Sequence, residues 1–167
     1  MEFLAWIEQT TLGLWVREST WGFPIALTLH AIGMGFLAGF NFAFALRVLG
    51  VAPGVNLLAL VRFFRLMWGS AALSLFSGLL LLAAYPAKSL TNPLFYLKMA
   101  LIISGLILIR TLVAVVTAQG ESKHSVLREH EKLSAVTLLL IWGAAITCGR
   151  FLAYTYSILR VGELAGF

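Results

Sequence analysis

The sequence predicts an all-α fold, an integral membrane four-helix bundle with an N-terminal amphipathic interfacial helix. Three observations carry the prediction. Of 167 residues, 60% are hydrophobic and 11% charged, and the mean hydropathy is +0.94. A soluble domain carries charge on about 25% of its residues. Four apolar stretches each exceed the roughly 20 residues that a bilayer core requires, and the connections between them are short and hold the turn formers. The length suits one domain, with residues 1–20 as the interfacial helix and 21–167 as the bundle with a short C-terminal tail.

In the first segment Phe3, Leu4, Ile7, Leu14 and Trp15 recur at near-helical spacing, with Glu8 and Gln9 between them. It is too short and interrupted to span, so it is expected to lie in the interface. Trp6, Trp15 and Trp21 suit an aromatic belt. No positive n-region precedes it and Glu8 comes early, so no cleaved signal peptide is expected. The first span covers residues 21–49, and its one ionisable group before Arg47 is His30. Ala52-Pro53-Gly54 then breaks the chain. The second span covers 57–85, with Arg62 and Arg65 near its start. Pro86-Ala87-Lys88-Ser89 forms the next turn. Asn92-Pro93 opens the third span, 93–118, with proline at a tolerated early position. Lys98 and Arg110 lie inside it. Residues 119–132 form the one polar stretch of any length, part of it extending the fourth helix into water from a Ser122 cap. The fourth span covers 133–156 and carries Arg150 near its end.

The net charge of +5 and the pI near 9.8 would suit a nucleic-acid partner. The basic residues are instead scattered at membrane edges, where they orient helices and meet anionic headgroups, so no nucleic acid is expected. Side A is the face holding both termini. Near side B lie Arg47, Arg62, Arg65, Arg110, Lys123, Arg128 and Lys132; near side A lie Arg17, Lys88 and Arg160. This bias makes side B cytoplasmic and predicts periplasmic termini in a bacterial inner membrane. Cys148 is alone, which excludes an intrachain disulfide, and reads as a small buried residue.

Ionisable groups inside spans are costly and are functional candidates by default. His30, Lys98 and Arg150 stand out. From helix rise, His30 lies roughly 13 Å from side A, and Lys98 and Arg150 about 9 Å. A deep imidazole below two cations fits a haem b. His30 would ligate the iron, and Lys98 and Arg150 would meet the propionates nearer water. Ala26 and Gly33, at i−4 and i+3 from His30, would let a flat ring approach the backbone. Ser70, Ser74, Ser77 and Gly78 form a small stripe on the second helix, and bundle cores are common cofactor sites. The second axial position stays open among five-coordinate iron, Lys98, Met34, Met67 or a partner chain, since His124 and His130 belong to side B. Each group also has a plainer reading. His30 could hydrogen-bond between helices, the two cations could snorkel, and Gly35-x-x-x-Gly39 could support close helix packing.

Several blocks resemble a known family. Trp21-Gly22-Phe23-Pro24, His30 and Gly33 form one. Leu46-Arg47-Val48-Leu49-Gly50 closes the same helix, Asn92-Pro93-Leu94-Phe95-Tyr96-Leu97-Lys98 opens the third, and Gly149-Arg150-Phe151-Leu152-Ala153-Tyr154 ends the fourth. In order and spacing this resembles an uncharacterised family of small four-helix bacterial membrane proteins, similar in outline to membrane b-type cytochromes. That family places an acidic residue before the Leu-Arg pair, where this chain has Ala45. The resemblance implies the fold more than an activity.

The leading expectation is a haem b electron-transfer subunit working with a quinone or a periplasmic redox partner. The alternative is a non-catalytic accessory subunit of a larger energy-transducing membrane complex, packed against other membrane subunits or further copies of itself. A quinone site without haem and a small transporter rank lower; no internal repeat and no intraspan acid support transport. No nucleophile–base pair, zinc spacing or phosphate loop appears, so a stand-alone enzyme is not expected.

Overall fold

The computed structural model describes residues 6–51, 53–119 and 129–165. Phe3 and Leu4 of the amphipathic stripe, Ala52, and Ser122, Lys123, His124 and Arg128 of the polar stretch lie outside the described residues. The elements are α1 (Thr11–Glu18), α2 (Gly22–Val48), α3 (Leu57–Arg62), α4 (Phe64–Ala84), α5 (Pro86–Leu90), α6 (Pro93–Gln119) and α7 (Glu129–Ala165). Four of them, α2, α4, α6 and α7, are long and apolar enough to cross a membrane. The protein is a multi-pass, all-α membrane bundle.

Local chemistry sets the ends. The amide of Gly13 binds the Thr10 hydroxyl at the start of α1, and the amide of Gly22 binds the Ser19 hydroxyl before α2. Helix α2 stops in a Schellman turn: Val51 N–H reaches Leu46 C=O, Gly50 N–H reaches Arg47 C=O, and Gly50 takes φ +92°. That left-handed conformation favours glycine. Arg47 then binds the carbonyls of Val55 and Pro53, clamping the loop that follows. Asn92 caps α6 by accepting from Leu94 N–H at 3.0 Å, with Pro93 at the first helical position. The predicted second span is in fact two helices, divided at Phe63 with no glycine or proline to mark the break.

The spans pack in the order α4–α2–α7–α6, through the pairs α4–α2, α2–α7 and α7–α6. Between lipid-bathed helices, close packing replaces the hydrophobic effect as the main attraction. The tightest approach is at Gly33, where a Cβ would lie 2.8 Å from Ser74 N and 3.0 Å from Ser70 O. Ser70 and Ser77 return their hydroxyls to the carbonyls of Leu66 and Leu73 in their own helix, so the small stripe of α4 meets α2 with few polar demands. Gly35 and Gly39, by contrast, have open space above them, with nothing among the described residues within 4 Å of where a Cβ would stand.

Helix α1 is tied to the bundle. Val16 is fully buried with Ala26 and Ala84, and a Cβ on Gly13 would lie 2.8 Å from Ala83 O. It braces the side-A ends of α2 and α4 while Trp6, Leu12 and Trp15 stay exposed. The main core lies toward side B. There Leu37, Phe44 and Val48 of α2, Met67 of α4, Ile109, Leu112 and Val116 of α6, and Ala135, Leu138 and Trp142 of α7 pack together.

Candidate functional site

Each span carries an inward stripe at three- and four-residue spacing. In α6 it runs Lys98, Ile102, Gly105, Ile109, Leu112 and Val116. In α7 it runs Glu131, Ala135, Leu138, Trp142, Ala145, Gly149 and Leu152. Toward side B these positions are buried, with Ile109, Ala135, Leu138 and Trp142 all at 0% exposure. Toward side A the same stripes reach Lys98, Ile102, Gly149 and Leu152, all only half-buried. Among the described residues the stripes are thus sealed toward side B and partly exposed toward side A.

His30 lies at that partly exposed end. It continues the stripe Gly22, Ala26, Gly33, Leu37 and Asn41 of α2, and it is half-buried where those neighbours are buried. Its Nδ1 sits 2.9 Å from Ser74 O. A carbonyl only accepts, so Nδ1 carries a proton, and in the neutral imidazole Nε2 keeps its lone pair. Ser77 Oγ stands 3.4 Å from the same nitrogen. Nε2 has no hydrogen-bond partner among the described residues. Gly78 seats the ring, since a Cβ there would lie 3.1 Å from His30 Cε1.

Lys98 lies within electrostatic reach of His30. Its side chain runs along Gly149, with Cε and Nζ at 3.6 and 3.7 Å from where a Cβ would stand. The structure thus brings His30 and Lys98 to the same partly exposed end of the bundle. Arg150 follows Gly149 but points off the inward stripe and is exposed, without a hydrogen bond or ion pair among the described residues. Gly33 and Ala26 face α4 and α1. The glycines that border His30 and Lys98 are Gly78 and Gly149.

Two further expectations concern the second axial position. Met67 is 1% exposed in the side-B core, its sulfur 3.7 Å from Asn41 Nδ2. His130 is exposed in the first turn of α7, roughly 28 Å along that helix from Gly149. It lines a side-B groove of about 240 Å³ with Thr111, Leu112, Val115, Glu131 and Ser134. Among the described residues no three His, Cys, Asp or Glu side chains converge.

Sequence reading missed Asn41. It is fully buried three turns below His30 on the same face, and its Oδ1, like Trp142 Nε1, has no partner among the described residues. The signal was present, since an asparagine within an apolar span is as conspicuous as a histidine. Set against known protein families, curated proteins and solved structures, the chain matches none of them.

Proposed function

We propose that this chain is a haem b electron-transfer subunit whose opening at side A holds the cofactor and faces a quinone or a soluble redox partner. The observation that carries the reading is the His30–Ser74 hydrogen bond. It fixes the tautomer that leaves Nε2 free, and it orients the ring through a backbone carbonyl, as metal-binding histidines are oriented. With one imidazole in reach and no ligand cluster among the described residues, an iron here would need a cofactor bringing its own nitrogen framework. Haem b, when bound, supplies a one-electron couple.

The chain's own residues would divide the work as follows. His30 would hold the iron through Nε2. Lys98 offers the inward cation for a propionate, and Arg150 offers a second at the exposed edge. Gly33 acts at one remove, because its lack of a Cβ lets α4 approach until Ser74 O meets His30. Gly78 and Gly149 leave room beside the two side chains. The basic excess at side B supports a cytoplasmic side B, a periplasmic opening and an inner-membrane location.

The test is a reduced-minus-oxidised absorbance spectrum of protein purified in mild detergent after expression with ample haem supply, with His30→Ala beside it. A b-type α-band in the wild type that is lost in the variant is expected. No band and no iron in the wild type would overturn the reading.

A second reading, an accessory subunit in a larger membrane complex, is favoured by Gly35 and Gly39. Both open onto an apolar groove of about 180 Å³ that is unfilled among the described residues. If a neighbouring subunit or second copy seats there, Gly35→Leu with Gly39→Leu abolishes co-purification; unchanged co-purification counts against it.

A further inference from the structure

Side B carries a charge pattern that the haem reading does not use. Arg62 closes α3, Arg65 lies in the first turn of α4, and Arg110 sits within α6, roughly 13 Å before that helix ends. All three are exposed, and none makes a hydrogen bond or ion pair among the described residues. All three belong to the side-B half of their helices, and Arg62 and Arg65 are three residues apart across the break at Phe63. Helix α3 packs against both α2 and α6, with Leu57, Leu60 and Val61 set on the core that includes Val113. Arg110 stands one turn before Val113 on α6.

The surroundings select the ligand. Phe63 and Leu66 beside the first two arginines are 53% and 55% exposed, and Ile107 beside Arg110 is 60% exposed. These apolar flanks face acyl chains, so the guanidiniums rise from a lipid-facing surface. Arg110 in particular begins inside the hydrocarbon layer and must reach out of it, because an unpaired charge there is costly. The group that meets it at the end of that reach is a phosphate of the side-B headgroup layer. Guanidinium pairs with phosphate through parallel N–H donors.

We infer that Arg62, Arg65 and Arg110 form a binding site for an anionic phospholipid at the α3–α6 seam on side B. Three unpaired cations on one membrane side favour a lipid with net negative charge over a zwitterionic one, whose own ammonium they repel. The exposed Phe63, Leu66 and Ile107 hold the acyl chains. This site is independent of the haem reading and stands or falls without it.

The test is native mass spectrometry of the full chain released from nanodiscs of equal dioleoylphosphatidylglycerol and dioleoylphosphatidylcholine. Wild-type protein is expected to carry phosphatidylglycerol in preference. The preference should fall by about fivefold for each arginine changed to glutamine, following the worth of one basic residue near an anionic surface. Lys88→Gln, at the opposite end, should leave it unchanged. Arg110→Lys keeps the charge and guards against a folding failure, so it should retain most of the preference. Equal retention of the two lipids by the wild type would overturn the proposal. So would loss of the preference in millimolar inorganic phosphate, which would mark a site for the free anion, or an equal loss in Lys88→Gln, which would mark a response to overall charge.

Discussion

The two halves of this bundle use the same inward stripes to opposite ends. In α7, Ala135, Leu138 and Trp142 are sealed at 0% exposure; further along the same face, Gly149 and Leu152 are half-buried. In α6, Ile109 is sealed and Lys98 is not. The side-B half is filled by large apolar side chains drawn from all four spans, whereas the side-A half places glycines, an imidazole and an ammonium at equivalent positions. A helical stripe therefore states which face turns inward but not whether that face is closed. Closure depends on side-chain volume, and Gly149 for Trp142 is a large change of volume.

Three pairs of substitutions sharpen or break this contrast, each read as unfolding free energy in mild detergent. Trp142→Ala should cost most, about 3–5 kcal/mol, because it empties the centre of the closed half. Leu152→Ala, on the same stripe, should cost no more than about 1 kcal/mol, since its side chain is already half out of the packing. Equal losses would mean that both halves are packed alike. Next in size is Gly33→Ala, at about 1–3 kcal/mol, because the added methyl meets backbone atoms of Ser74 and Ser70 that cannot yield without parting α2 from α4. Gly35→Ala, with open space around it, should change stability by less than about 0.5 kcal/mol. A costly Gly35→Ala would show that its face is occupied. The smallest effect separates two glycines of the inward stripes. A Cβ on Gly105 would press within 3.0 Å of Trp142 Nε1, and one on Gly149 would make ordinary contacts with Lys98 from 3.6 Å outward. Gly105→Ala should lose about 1 kcal/mol and Gly149→Ala almost nothing.

The spans were legible because the bilayer demands about 20 apolar residues whatever the tertiary arrangement. Two of the turns were legible too, whereas Pro86-Ala87-Lys88-Ser89, expected as a turn, lies in the short helix α5. Asn92-Pro93 caps α6 as its chemistry requires, and the Leu46–Gly50 block ends α2 in a turn that only its glycine makes easy. His30 and Lys98 were visible as charges misplaced in lipid. What sequence could not supply was which helices touch. The expected close packing at Gly35 and Gly39 belongs instead to Gly33, which differs from Gly35 only in the direction it faces on α2. The role of Gly78 depends on α4 lying against His30, a pairing that neither helix announces alone. The break at Phe63 lies in a run of Arg62-Phe63-Phe64-Arg65 with no breaker residue. It comes from α3 settling onto the core, which is a tertiary cause.

The contrast between a sealed and an open half can be measured by thiol labelling in a Cys148→Ala background. Ala135→Cys and Gly149→Cys lie on the same face of α7, about four turns apart. The changes add one and two heavy atoms, and a Cβ at Gly149 would make ordinary contacts with Lys98. With a polar maleimide added to the folded protein, Gly149→Cys should react at least about tenfold faster than Ala135→Cys, in line with thiol reactivity following access. Equal protection of the two thiols would contradict the account, because it would leave His30 and Lys98 inside a closed bundle with no opening to hold a cofactor.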